Sequence, residues 1–312
     1  MPLDPSARKF LGALAATNPP SARSLTVSER RRALQNLMGF FGPVEEVARV
    51  QEQTVPGAED PRAVRIYTPL GAASAAALPA MIFFHGGGLV AGGLDSHDGV
   101  CRSLANASAC RIIALDYRLA PEHQFPAAIA DCYAATQWIV AHPAEFGVDA
   151  KQIIVGGDSA GATLAAVVCQ MASQRPELKI AAQFLLCPIM DFCAQTDSRR
   201  AFAEGYLVDM ATLEHDLMHY LPAGVDPADP RVSPLRAPDI RGVPAACIHT
   251  AEFDPLRDEG KAYADRLAQA GVRTRYFCHP GMIHLFYGMG AVIPYARSAR
   301  AQIGSDIRSM LT

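Results

Sequence analysis

The stretch Gly157-Asp158-Ser159-Ala160-Gly161 sets a serine hydroxyl between two glycines, directly after the apolar run Gln152–Val155 and just before the helix-like Thr163–Cys169. A GxSxG pentapeptide in a strand, turn and helix context is the arrangement that exposes a nucleophilic serine. The turn strains the serine backbone and lifts its hydroxyl above the sheet, while glycines at 157 and 161 let strand and helix approach closely. A glycine-rich turn that merely packs, or that binds an anion at a helix N-terminus, would look similar. Ser159 therefore needs partners elsewhere in the chain.

The first partner is His85-Gly86-Gly87-Gly88, which follows the run Ala80–Phe84. Acyl transfer develops negative charge on a carbonyl oxygen, and backbone N–H groups aimed at that oxygen each supply about 3 kcal/mol of transition-state stabilisation. Glycines leave such donors uncovered. Gly87 and Gly88, with Ala160 after the serine, are the expected oxyanion donors. His85 is expected to orient this loop rather than act as a base.

The second partner is a base with an acid to orient it, because a serine hydroxyl is a poor nucleophile until its proton is taken. The chain has nine histidines. In hydrolases built on a parallel sheet the chain order is serine, acid, histidine, with the last two on loops after later strands. Asp254 lies four residues beyond the run Ala245–Thr250, and His284 follows the last strand in Gly281-Met282-Ile283-His284. The rivals are Asp258, which suits a helix start, Asp191 at the end of another strand, and His279, which ends a strand rather than lying beyond it. His249 falls inside a strand pattern, and His97, His123, His142, His215 and His219 precede the acid and are read as structural or surface groups.

These groups need a scaffold to hold them. Runs at Val64–Tyr67, Ala80–Phe84, Arg111–Asp116, Gln152–Val155, Ala182–Cys187, Ala245–Thr250 and Arg273–Phe277 read as strands, several apolar on both faces. They alternate with helical segments such as Ala127–Ala141, Ala160–Ser173 and Glu259–Ala270. That pattern is an α/β fold, a mostly parallel sheet covered by helices on both sides. Two segments break the alternation: residues 1–45, with Arg and Leu at helical spacing, and an insertion at about 192–222. Both are expected as helical additions over one edge of a core spanning 46–312. The small-residue stretch at 72–77 reads as a loop.

Composition narrows the function classes. In 312 residues, 19% are charged and the net charge is −3, far from the basic balance of nucleic-acid binders and from disordered chains. No apolar stretch is long enough for a membrane span, and no signal-peptide layout is evident at the start. Eight cysteines fall mostly in apolar stretches without metal-site spacing, so they read as reduced core residues of a cytoplasmic protein.

With these residues placed, the sequence resembles the hormone-sensitive-lipase-like esterases, the GDSAG branch in particular. The resemblance runs from about residue 60 to 290. It rests on HGGG at 85–88, Asp116-Tyr117-Arg118 and the loop to Ala128, GDSAG at 157–161, Asp254-Pro255-Leu256-Arg257-Asp258, and His284-Leu285-Phe286. It implies an α/β-hydrolase fold with a helical cap, Ser159, His284 and Asp254 as nucleophile, base and acid, and an oxyanion hole from Gly87, Gly88 and Ala160. It implies hydrolysis of short- to medium-chain acyl esters through a covalent acyl-enzyme, with no metal or organic cofactor. The loop 116–128 is expected to buttress the site. Met38, Phe40, Phe41, Tyr206, Leu207 and Met210 become candidates to line the substrate pocket, and a homodimer is allowed. Ala162 and Thr163 replace the common Gly-Asn after GDSAG, and Leu285 replaces a common glycine, so pocket shape is not carried over. Two other readings use the same residues: an amidase or lactonase, and a non-catalytic ligand-binding protein on this scaffold.

Overall fold

The computed structural model describes residues 1–72 and 77–311; the stretch at 72–77 thus lies mostly outside the described residues. The strands are β1 (Arg49–Val55), β2 (Arg62–Thr68), β3 (Leu78–Phe84), β4 (Arg111–Leu115), β5 (Val148–Asp158), β6 (Ala182–Leu186), β7 (Ala245–Phe253) and β8 (Thr274–Ile283). They form one sheet in the order β1-β2-β4-β3-β5-β6-β7-β8. β2 runs antiparallel to β1 and β4, and every other neighbouring pair is parallel. Several of the apolar runs read from the sequence are strands buried on both faces, as a helix-covered parallel sheet demands, with β6 buried at every residue, whereas the run Arg273–Phe277 in β8 stays partly exposed. β1 carries no such run. Its sequence RVQEQTV is mostly exposed at the sheet edge, where polar side chains guard unpaired backbone.

The helices are α1 (Pro5–Ala16), α2 (Val27–Met38), α3 (Asp98–Ser108), α4 (Ala127–Ala141), α5 (Ala160–Ala172), α6 (Asp197–Ala201), α7 (Met210–Tyr220), α8 (Arg257–Gln269) and α9 (Tyr295–Leu311). Two apolar layers sandwich the sheet. One joins alternate residues of β3, β4 and β5 to α4, α5 and α8; the other joins the opposite face to α1, α3 and α9. α5, which begins beside Ser159, is apolar all round and buried along most of its length, so the turn before it is anchored in the core.

α1 and α2 start with their own caps. Asp4 accepts from the Ser6 and Ala7 amides at 2.8 and 3.1 Å, and Thr26 and Glu29 form a reciprocal capping box at α2. Each buries few residues, Ala7 and Phe10 in α1 and Leu34 in α2. α6 and α7 lie between β6 and β7. Among the described residues no helix is long and apolar enough to cross a membrane.

Candidate active site

Ser159 sits between β5 and α5 with φ +52° and ψ −121°, a conformation that L-residues rarely adopt. Its N–H is fixed on the Leu186 carbonyl of β6 at 2.8 Å. The glycines around it are required by space: a Cβ on Gly161 would lie 2.0 Å from the Phe84 carbonyl oxygen, and one on Gly157 2.5 Å from the same atom. Any larger residue would push α5 off the end of β3.

The acid and the base are positioned by strand register. β7 and β8 pair in parallel, and beyond a register shift Phe253 aligns with Ile283. Asp254 and His284 are the residues that directly follow the two strands. Their side chains meet, His284 Nδ1 lying 2.7 Å from Asp254 Oδ2, with both residues essentially buried. The other carboxylate oxygen accepts the Leu256 amide at 2.9 Å. A carboxylate at Nδ1 places the proton there and leaves Nε2 as the basic nitrogen. The rival groups are committed elsewhere. Asp258 accepts the Ser198 amide at 2.7 Å and pairs with Arg257, Asp191 pairs with Arg236, and His279 bonds His249 and Tyr295.

The loop His85–Gly88 ends β3 beside Ser159. Gly87 and Gly88 take φ +118° and +68°, and their amides find no hydrogen-bond partner among the described residues. Ala160 supplies the first amide of α5, one of the donors a helix N-terminus leaves open. His85 stacks on Tyr117 with ring centres 4.3 Å apart, and the Tyr117 hydroxyl donates to the His85 carbonyl at 2.6 Å. Burial pushes the His85 imidazole down to about 3, so it stays neutral, in keeping with an orienting role. Arg118 binds Asp131 through two nitrogens, and Asp131 also accepts the Ala58 amide. Through Tyr117, and through the Ala120 amide donating to the Leu89 carbonyl at 2.9 Å, the segment 116–128 is joined to the glycine loop and the residue after it.

One group carries more than its place in the motif suggested. The fully buried Asp158 carboxylate accepts the Gly86 amide at 2.9 Å and the Tyr287 hydroxyl at 2.9 Å, with His97 Nε2 at 3.4 Å. Burial opposes its ionisation, but His97 and the hydroxyl outweigh it and hold the acid below its ordinary range. Asp158 therefore ties the residue before Ser159 to the glycine loop and to the segment after His284. Sequence reasoning read His97 only as a structural or surface group and gave Asp158 and Tyr287 no role, because nothing in their spacing marks a carboxylate shared across 129 residues. The Cys187 thiol also lies against Asp254; burial, then that carboxylate, pushes it well above its ordinary value.

Ser159, His284, Gly87 and Gly88 open onto one cavity of about 290 Å³. Its far wall is α2 and the β6–β7 insertion: Leu34, Leu37 and Phe40 on one side, Leu207, Val208 and Leu213 on the other. Of the sequence candidates, Phe40 and Leu207 line it. Met38, Phe41, Tyr206 and Met210 do not. Phe41 turns under Gly288 and lines a separate cavity, Tyr206 packs on Phe202 and Phe253, and Met210 packs against the larger core layer. Helical spacing alone could not tell which face of these short segments turns inward. Arg30 and Asp216 form a nearly buried ion pair in the cavity wall, with Arg30 Nη2 at 2.7 Å from Asp216 Oδ2. Neither was singled out by the sequence.

A strained serine, an aspartate-held imidazole and a loop of open amides share one cavity on an eight-stranded sheet, and comparison with known proteins agrees with that arrangement. Residues 81–288 match a family model described as alpha/beta hydrolase fold. The chain belongs to the α/β-hydrolase esterases. It is 33% identical to an arylesterase of Saccharolobus solfataricus over 92% of this chain and 93% of that protein. It is 42% identical to carboxylic ester hydrolase LipN of Mycobacterium tuberculosis over 76% of this chain, a match spanning 65% of that longer protein. Among solved structures, an ester hydrolase from the metagenome of Lake Arreo, complexed with a bipyridine phosphonate derivative, superposes with a TM-score of 0.95 at 40% identity over 98% of each chain.

Proposed function

We propose that this α/β-hydrolase cleaves carboxylic esters by two-step acyl transfer, with Ser159 as nucleophile, His284 as base and Asp254 as the acid that orients it. His284 Nε2 takes the Ser159 proton as the hydroxyl attacks the ester carbonyl. The oxyanion is received by the amides of Gly87, Gly88 and Ala160. The protonated imidazole gives its proton to the departing alcohol, leaving an acyl-serine. Water, deprotonated by His284, then attacks the acyl-serine; the acid leaves and Ser159 is restored. The observation that carries this reading is the 2.7 Å His284–Asp254 contact in the same cavity as a serine held at positive φ.

The reading includes a cap made of residues 1–45 and the insertion near 192–222, of which α2 and Leu207–Leu213 supply the far wall of the cavity. An apolar cavity of this size suits short- to medium-chain acyl groups on a neutral alcohol. GDSAG at 157–161 supports the branch of that name. Eight free cysteines, six of them buried, accord with a cytoplasmic location. A homodimer remains part of the proposal, to be checked by sedimentation.

The test is covalent. A fluorophosphonate should label one serine per chain, mapped to Ser159 by peptide mass, and p-nitrophenyl acetate and butyrate should be turned over. Full turnover by Ser159→Ala, or labelling that survives that change, would overturn the reading.

A further inference from the structure

A second set of reactive side chains lies on the α9 face of the sheet, remote in role from Ser159. Cys247 and His249 project from the same face of β7, two residues apart, and Asp306 of α9 closes over them. Cys247 Sγ is 3.4 Å from His249 Nε2, and Asp306 Oδ2 is 3.5 Å from that same nitrogen. All three ligand atoms lie within 4.8 Å of one another. They border a cavity of about 200 Å³ lined also by Arg275 and Gln302.

The convergence is unusual for a hydrogen-bond network. A thiol and a carboxylate both approach one ring nitrogen, which offers either one proton or one lone pair, so the nitrogen cannot serve both well. A nucleophile, base and acid relay would need the carboxylate on the other nitrogen. A tetrahedral cation answers the geometry. With Zn–S near 2.3 Å, Zn–N near 2.05 Å and Zn–O near 2.1 Å, the S···N and N···O edges of the tetrahedron are about 3.6 and about 3.4 Å. The observed 3.4 and 3.5 Å separations lie close to these two edges, and the third edge, sulfur to oxygen, is within 4.8 Å.

We infer that Cys247, His249 and Asp306 form a binding site for a single thiophilic divalent cation, Zn²⁺ by chemical class, with water completing the tetrahedron from the cavity. The surroundings fit the donor set. His249 Nδ1 is 2.9 Å from His279 Nε2, and His279 Nδ1 is 3.1 Å from the Tyr295 hydroxyl. When His249 Nδ1 donates to His279 and His279 Nδ1 donates to Tyr295, Nε2 is left with its lone pair toward the cavity, the tautomer a metal ligand needs. Gln302 donates to Asp306 Oδ2 at 2.8 Å, and Arg275 holds the other oxygen at 3.1 Å. Binding forms the sulfur–metal bond as the Cys247 S–H bond breaks and its proton passes to solvent. Thiolate and carboxylate then neutralise the dication, leaving the Arg275 charge on the far side of Asp306.

The experiment uses the full chain. Zn²⁺ bound at equilibrium is measured by dialysis, and Co²⁺ is added as a spectroscopic substitute. Cys187, Asp254 and His284 form another donor cluster, so His284→Ala serves as the background that removes it. The expected result is one Zn²⁺ per chain in both wild type and His284→Ala, with a thiolate-to-cobalt charge-transfer band in the near ultraviolet. Cys247→Ala should abolish that band and weaken Zn²⁺ binding more than about tenfold. Asp306→Asn, at the partly open end of the site, should weaken binding about tenfold while retaining the band; it carries the test if Cys247→Ala does not fold. No stoichiometric Zn²⁺ in the folded wild type would overturn the assignment. So would loss of the metal in His284→Ala, a cobalt band that persists in Cys247→Ala, or unchanged affinity in Asp306→Asn.

Discussion

The two walls of the catalytic cavity are built by different physics. The wall bearing Ser159 and the glycine loop is fastened by buried hydrogen bonds to fully sequestered groups, Asp158 to Gly86 and Tyr287, and Tyr117 to His85. The facing wall is fastened largely by ion pairs: Arg30–Asp216 inside, and Arg31–Glu122 and Arg23–Glu214 at the surface. Buried donors and acceptors stay aimed in a low-dielectric setting, which is where developing charge is best stabilised. Surface ion pairs are each worth about 1 kcal/mol or less, and α1 and α2 bury little, so that wall is the more weakly held. Under the proposed mechanism, chemistry falls to the rigid side and selection of the ester to the more weakly held side.

The largest effect should come from the rigid wall itself. Ser159→Ala and His284→Ala should each lower kcat by about 10⁶-fold in a p-nitrophenyl ester assay, and the double variant should be no worse than either, because the residues act as a unit. Asp254→Asn should cost about 10⁴-fold with the fold intact by circular dichroism. If the double variant proved additive, the two residues would not belong to one machine.

Asp158→Asn comes next. It keeps the shape but removes the charge that gathers the Gly86 amide, Tyr287 and His97. The expected result is a kcat about 100-fold lower with KM changed less than about threefold, since the loop serves the oxyanion rather than the ground state. A change confined to KM would move Asp158 from the rigid wall to the selecting one.

Arg30→Met probes the opposite wall. Leaving Asp216 without its partner should raise KM for a butyrate ester about tenfold, with kcat within about threefold, and lower Tm by a few degrees. Equal losses in kcat would erase the contrast between the walls.

The smallest effect is on pH. The hydrogen bond from His215 Nδ1 to Asp216 favours the protonated imidazole and raises it above its ordinary value, while its other nitrogen meets the Leu25 carbonyl at 3.1 Å. A raised value in the folded state means that the stabilisation is complete below the ordinary histidine range and is lost as pH rises through the folded-state value. Limited proteolysis of the segment between α1 and α2 should therefore quicken at alkaline pH, by an amount worth about 1 kcal/mol or less. His215→Gln should flatten that dependence.

The same contrast explains how much the sequence disclosed. Strands buried on both faces announce themselves as apolar runs, and the seven runs read from the sequence all fall in strands; β1, a polar edge strand, has no such signature. The GDSAG and HGGG motifs are legible because steric demands at Gly157 and Gly161 admit few residues. Pairing Asp254 with His284 rested on chain order together with the resemblance to the family pattern. The facing wall follows no local rule: which side of α2 or of residues 206–210 turns inward depends on packing between distant segments, so Phe40 and Leu207 could not be separated from Phe41, Tyr206 and Met210. Arg30 and Asp216, 186 positions apart, look like ordinary surface charges until the chain folds.

The alignment of Phe253 with Ile283 makes the sheet a ruler for the two residues that follow it. Each residue of slip along β8 would displace His284 by about 3.3 Å and turn its ring to the opposite face. Length changes can therefore accumulate in the turn between α8 and β8, upstream of the paired stretch, without disturbing the acid and base. A single insertion between Thr274 and Ile283 would uncouple them. Variation in this protein is channelled by where the ruler is read.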